Sequence, residues 1–196
     1  MKRHPDSVNQ TKADLEEAFW QLYVKMPFQK ITVAQVSDLA GYNRGTFYLH
    51  YESLIEMLQS IEDALLAGMT DCVETCMKRL KKDASKLNCI AACKDVVLYY
   101  EKNKRFISVL LSDRGDPAFI SQLKNALKPL WREYVISADS KLAEEEIDLL
   151  LEYTLAGTLY MISRWLSCPG KTSAFDLAHL VYDFSIKDVR QRSQAT

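Results

Sequence analysis

The feature that most restricts how this chain can fold is a run of helix start and stop signals between Thr32 and Asn43. Thr32-Val33-Ala34-Gln35 is a capping box, in which the threonine hydroxyl and the Gln35 amide reciprocally satisfy backbone donors that a helix start leaves orphaned. Gly41 follows the apolar turn ending at Ala40 and supplies the left-handed conformation that stops a helix, and Asn43 can cap another one at once. The pattern predicts a short helix over residues 33–40, a tight turn, and a further short helix over residues 44–50. Upstream, Leu15, Ala18, Phe19, Leu22 and Tyr23 recur with helical spacing until Pro27 interrupts them, which places a first helix at about residues 11–26.

Downstream the same logic continues. Ser53-x-x-Glu56 offers a second capping box, and Leu54, Leu58, Ile61, Leu65, Met69, Cys72, Cys76 and Leu80 form the stripe of a long fourth helix. Amphipathic segments follow at about residues 86–102, 105–111, 117–137, 143–166 and 175–190, separated by a turn at residues 81–85 and breaks at 113–117 and 168–170. With only 6 Gly and 5 Pro in 196 residues, turn-rich β architectures are disfavoured and the expected fold class is all-α. Hydrophobic residues at 48% beside charged residues at 26% mark a chain that folds throughout. We divide it at residues 1–52, the helix-turn-helix, and 53–196, a larger helical domain.

A net charge of -1 gives no global basic field, so a nucleic acid would have to be recognised locally. The most apolar stretch, residues 149–166, is interrupted by Glu152 and Arg164, and the chain opens with Met-Lys-Arg-His-Pro. Neither a membrane span nor a signal peptide is expected, and five cysteines, an odd count, suit free thiols in the cytoplasm.

Ile31-Thr32-Val33, the run Leu39-Ala40-Gly41-Tyr42-Asn43-Arg44-Gly45-Thr46-Phe47-Tyr48, and His50-Tyr51 together resemble the helix-turn-helix of the TetR family of bacterial transcription regulators. The resemblance implies an N-terminal DNA-binding domain and a C-terminal helical domain that binds small ligands and dimerises. A recognition helix lays its first residues against base edges, so it needs donors beside phosphates and little bulk where backbone approaches DNA. Arg44, Tyr42, Asn43 and Gly45 are the candidates for reading sequence; the resemblance assigns the donors of Thr46, Tyr48 and His50 mainly to the DNA backbone, with Thr32 a further DNA-binding candidate and Phe47 and Tyr51 turned inward. Gly45 destabilises a helix by roughly 1 kcal/mol relative to alanine, which close approach to DNA would justify. Where many relatives carry lysines at the start of the fourth helix, this chain has Glu52 and Leu54.

In the second domain Tyr100, Phe106, Trp131 and Trp165 are the candidates for lining an effector pocket, and residues 103–119 resemble a TetR subgroup common among low-GC bacteria. Gly157, Thr158, Ile162, Leu177, Val181 and Phe184 are the candidates for a dimer interface on the last two long helices. Cys72 and Cys76, and Cys89 and Cys93, are spaced i, i+4 on neighbouring helices; they are either small core residues or a metal or redox cluster, and we expect no metal. No phosphate loop, nucleophile elbow or His-Glu-x-x-His helix occurs, so no catalytic residue and no cofactor is assigned. The resemblance implies a homodimeric repressor that binds an inverted-repeat operator on double-stranded DNA and is released by an unidentified small-molecule effector. The alternatives are a diverged coactivator acting through a protein partner, motivated by Glu52 and Leu54, and a helical enzyme.

Overall fold

The computed structural model describes residues 5–83, 85–112, 115–136, 138–168 and 170–194. Every regular element among them is helical: α1 (Pro5–Tyr23), a 3-10 turn (Phe28–Lys30), α2 (Val33–Ala40), α3 (Arg44–Tyr48), α4 (Leu54–Lys82), α5 (Lys86–Lys102), α6 (Lys104–Leu110), α7 (Pro117–Tyr134), α8 (Glu144–Ser167) and α9 (Ala174–Val181). A π-helical stretch, Tyr182–Lys187, then leads without interruption into α10 (Asp188–Gln194). Ala84, Asp113, Arg114, Ser137 and Pro169, which belong to the predicted breaks and the predicted end of the seventh helix, lie outside the described residues. No helix among the described residues is long and apolar enough to cross a membrane.

The chain forms two compact units, Met1–Leu65 and Leu66–Thr196. They part within α4 and not at its start, because Met57, Leu58 and Ile61 on its first turns are buried and belong with the first unit. In that unit α1 packs on α2 and α2 on α3. Leu15 and Phe19 of α1, Val36 of α2 and Phe47 of α3 are fully buried, and Phe19 stacks on Tyr23 with ring centroids 5.6 Å apart. Each such side chain contributes about 1.5–3 kcal/mol through the apolar area it removes from water.

The second unit is a helical bundle built on 3.6-residue periodicity. Phe119, Leu123, Leu127 and Trp131 recur every fourth residue of α7 and are buried as α7 packs on α8, itself buried along Ile147, Leu151, Leu155, Ile162 and Leu166. Lys124 and Lys128 of α7 reach Glu152 of α8 at 2.8 and 3.1 Å along the edge of this contact. On the other side α5 packs on α9.

Gly68 of α4 has a packing role in this unit. A Cβ added there would stand 2.2 Å from the Tyr99 hydroxyl and 3.2 Å from its ring carbon, so α5 approaches α4 through the space the missing side chain leaves. Gly68→Ala should therefore lower stability by about 1–2 kcal/mol despite alanine's better helix propensity. In a Tyr99→Phe background the same substitution should be neutral or stabilising, which urea midpoints of the four proteins measure as a coupling of at least about 1 kcal/mol. Additive midpoints would contradict the contact.

Candidate nucleic-acid interface and ligand cavity

Each short helix of the first unit is held by its ends. At α2 the Gln35 backbone N–H donates to Thr32 Oγ1 at 3.2 Å and the Thr32 backbone N–H to Gln35 Oε1 at 2.9 Å, completing the predicted capping box. Gly41 closes the helix at φ 77°, its N–H turned back on the Ser37 and Asp38 carbonyls. Asn43 caps α3, with the Thr46 N–H donating to Asn43 Oδ1 at 2.8 Å and the Thr46 hydroxyl to the same oxygen at 3.2 Å. At α4 only half of the predicted box forms: the Glu56 N–H donates to Ser53 Oγ, while the Glu56 carboxylate accepts from the Glu52 N–H and not from that of Ser53.

Two phenols tie this frame to α1. Tyr42 donates to Asp14 Oδ2 at 2.8 Å, and the buried Tyr51 donates to Glu16 Oε1. Burial first, then the hydrogen bond to Glu16, pushes the Tyr51 phenol far above its ordinary pKa, so it remains a neutral donor throughout the physiological range.

The sequence-predicted nucleic-acid residues therefore separate into two groups. The side-chain oxygens of Thr32, Asn43 and Thr46 serve the caps, and Tyr42 is committed to Asp14. Arg44 and Tyr48 are exposed, with Arg44 making no ion pair among the described residues, and His50 is half-buried beside them in sequence. Tyr48 stands edge-on to Phe47, whose full burial fixes which side of α3 faces out. Gly45 is exposed, and a Cβ there would meet Asn43 Oδ1 at 3.1 Å, tighter than ordinary contact. The glycine thus has a local reason, room for the cap, in addition to the close approach inferred from sequence. Asp14 and Glu16 were missed by sequence reasoning because they lie 28 and 35 residues from their partners and carry no local signal.

In the second unit a cavity of about 40 Å³ lies between side chains of α4, α5, α7, α8 and the C-terminal helix. Tyr100 and Trp131 line it; Phe106 and Trp165 do not. Trp165 is half-buried and its indole donates to the Thr172 carbonyl at 2.9 Å, pinning the α8–α9 turn; Phe106 carries the Arg105 guanidinium 4.4 Å above its ring. The dimer-face assignment also changes. Thr158, Ile162, Leu177 and Val181 are buried within the protomer, and three of them, Thr158, Ile162 and Val181, line the cavity. Gly157 and Phe184 lie on the surface. The reason is that α8 is apolar on two faces, so its sequence alone does not decide which stripe turns inward.

The polar groups at the cavity wall bond to one another. Trp131 Nε1 donates to the Ser185 carbonyl at 3.2 Å, Thr158 Oγ1 donates to the Thr154 carbonyl at 2.7 Å, and the Ser185 hydroxyl lies 2.5 Å from Thr158 Oγ1. Cys76 Sγ donates to the Ala92 carbonyl at 3.1 Å. The hydrogen bond with Cys72, then burial, pushes the Cys76 thiol far up, and burial pushes Cys93 up to about 12. The same contact with Cys76 lowers Cys72 against the effect of its own burial. All five cysteines are free, and among the described residues no three His, Cys, Asp or Glu side chains cluster to hold a metal ion.

With this geometry in place, comparison with known proteins is decisive about class. The TetR-family model of the transcriptional regulator C-terminal region matches residues 88–187, and the chain belongs to the TetR family of transcriptional regulators. It is similar, at 29% identity over 65 residues, to the HTH-type transcriptional regulator TtgR of Pseudomonas putida, a match covering 33% of this chain. The chain spans 31% of the length of that curated relative. A TetR transcriptional regulator from Streptococcus agalactiae 2603V shares its fold with a TM-score of 0.62 at 26% identity, over 90% of this chain and 96% of that one. The fatty acid degradation regulator FadR from Bacillus halodurans shares the fold with a TM-score of 0.62 at 14% identity, over 97% of this chain and 99% of that one. The relatives named here are transcriptional regulators.

Thiol chemistry tests the burial pattern directly. With Ellman's reagent at pH 8, the exposed Cys168 and the half-buried Cys72 should react in the native protein, and Cys76, Cys89 and Cys93 only after unfolding. Five fast thiols in the native protein would contradict the packing of α4 on α5.

Proposed function

We propose that the chain is a cytoplasmic repressor that binds an inverted-repeat operator as a homodimer and leaves it when a small effector occupies the cavity of the second unit. The observation that carries this reading is α3 itself: its inner face is locked by Phe47, and its outer face presents an exposed guanidinium at Arg44, without an ion pair among the described residues, beside Gly45 and Tyr48. Arg44 would read a base edge, Tyr48, His50 and Thr46 would hold phosphates, and Tyr42, Asn43 and Thr32 would position the helix. In this division residues 1–52 bind DNA, and residues 53–196 bind effector and dimerise.

Support for the dimer lies on the outer stripe of α8 and on the C-terminal helix. Tyr153 is 81% exposed, Tyr160 74% and Phe184 65%, with Leu149 and Phe175 also more than half exposed. Large aromatics left this open on a helical face suit a partner surface. Gly157 adds to the argument, because a Cβ there would meet nothing within 4 Å. The protomer has no packing need for a glycine at that position, whereas a second copy approaching closely would. Thr158, Ile162, Leu177 and Val181 act as the inner support of this face, and Gly157 and Phe184 as part of it.

Tyr100 and Trp131 would meet the effector, and α4, which lines the cavity with Met77 and Leu80 and extends into the first unit, would transmit its presence. This is a population shift and requires that the effector bind the two states with different affinity. A second reading, a coactivator working through a protein partner, is favoured by Leu39, Leu49 and Ile55, apolar side chains at least half exposed in the first unit where basic ones would aid DNA binding.

A gel shift with the DNA flanking the chain's own gene separates the two. The repressor reading predicts a complex of two protomers on an inverted repeat, weakened by Arg44→Ala by about 1–3 kcal/mol with relaxed preference at one position of each half-site. Uniform weakening across sequences would make Arg44 a phosphate contact, and no complex on any flanking repeat would favour the partner-protein reading.

A further inference from the structure

The cavity's lining has a chemistry narrower than apolarity alone. None of the residues that form it carries a formal charge. A carboxylate, phosphate or ammonium brought inside would be stripped of water with no counter-charge to meet, which excludes charged ligands from this site. The donors in the wall are nearly all committed: the Trp131 indole to the Ser185 carbonyl, the Thr158 hydroxyl to the Thr154 carbonyl, the Cys76 thiol to the Ala92 carbonyl. Tyr100 carries the strongest donor left over, the Cys93 thiol being a weak one. Its side chain is 1% exposed and lines the cavity, yet its hydroxyl makes no hydrogen bond among the described residues.

A phenol with no protein acceptor and almost no exposure keeps little hydration, so an acceptor placed within reach is rewarded. Burial also pushes the Tyr100 phenol well above its ordinary pKa, so the group stays a donor. We propose that the cavity recognises an uncharged, mainly hydrocarbon molecule carrying a single acceptor oxygen, of the ketone, ester or ether type, which takes the hydrogen bond that the Tyr100 hydroxyl leaves unmade. This rests on the effector-binding reading given above and narrows it to one chemical class.

At about 40 Å³ the cavity holds no more than a few waters, so such a molecule must displace part of the wall. Met77, which lines the cavity from α4, is unbranched and repacks most readily. The same displacement therefore acts on α4. The two thiols in the wall are protonated, by the shifts given above, and behave toward the ligand as small apolar groups.

Three probes sharing a six-carbon skeleton test the class: 2-hexanone, n-hexane and hexanoate, titrated at pH 7.5 into the full chain and followed by chemical-shift changes of the protein's methyl groups. The expected order is 2-hexanone tightest, hexane weaker by about five- to tenfold for want of the acceptor, and hexanoate weaker by two or more orders of magnitude. Tyr100→Phe should bring 2-hexanone down to the level of hexane while leaving hexane unchanged. Hexanoate binding as well as the ketone, no probe binding at all, or an unaltered ketone preference in Tyr100→Phe would each overturn the proposal, and the first two depend on no variant. Operator affinity measured alongside keeps the two readings apart. If 2-hexanone binds at Tyr100 without changing operator affinity, the ligand class stands and effector release fails; if hexanoate binds equally while DNA binding persists, the class fails and the regulator reading stands.

Discussion

A helix of five residues has no stability of its own, since closing one turn fixes several dihedrals for a single hydrogen bond. That α3 is helical at all rests on the Asn43 cap at its start and on Phe47, fully buried in its middle. The cap supplies a side-chain partner for the Thr46 N–H, which the first turn of a helix leaves without its usual carbonyl, and Phe47 fixes the rotation so that Arg44 and Tyr48 are left outside. The proposed contact of the first unit with DNA depends on these two contacts. The Tyr42–Asp14 and Tyr51–Glu16 bonds then fasten the turn before α3 and the turn after it to α1, so α3 is part of a three-helix frame.

The second unit meets a different constraint. Its helix α8 is apolar on two faces. One face closes a cavity lined by Trp131 and Thr158, and the other leaves Tyr153 and Tyr160 uncovered. Ser185 belongs to the π-helical stretch, whose neighbouring side chains point in opposite senses: Phe184 is exposed and Ile186 lines the cavity. A single stretch of backbone thus joins the cavity wall to the proposed partner surface, and π-helical turns of this kind recur at functional sites.

Local chemistry was legible in the sequence, and distant chemistry was not. Thr32, Gln35, Gly41 and Asn43 act within three or four residues of themselves, and each does in the structure what its position predicts. The helix-turn-helix and the all-helical class follow from such signals together with periodicity. The phenol–carboxylate ties to α1 join residues far apart in sequence, and a phenol spaced like any core aromatic gives no hint of its partner. On α8 the periodicity was read correctly but the facing was not, because two apolar stripes at the same period differ only in what they meet. The π-helical stretch had no sequence signal, and Gly45 had two compatible explanations of which only one, the room it leaves for the Asn43 side chain, is local.

The central claim is that α3 is formed and oriented before any DNA arrives. Amide hydrogen exchange at Thr46 in the DNA-free protein tests it most directly, since that N–H is shared between Asn43 Oδ1 at 2.8 Å and the Asn43 carbonyl at 3.0 Å, the contacts that close the first turn. A preformed, capped helix predicts exchange slower than in an unfolded chain by about two orders of magnitude, and faster exchange in Asn43→Ala. Exchange at the unfolded rate until DNA is added would contradict the account and make α3 a segment that folds on its target.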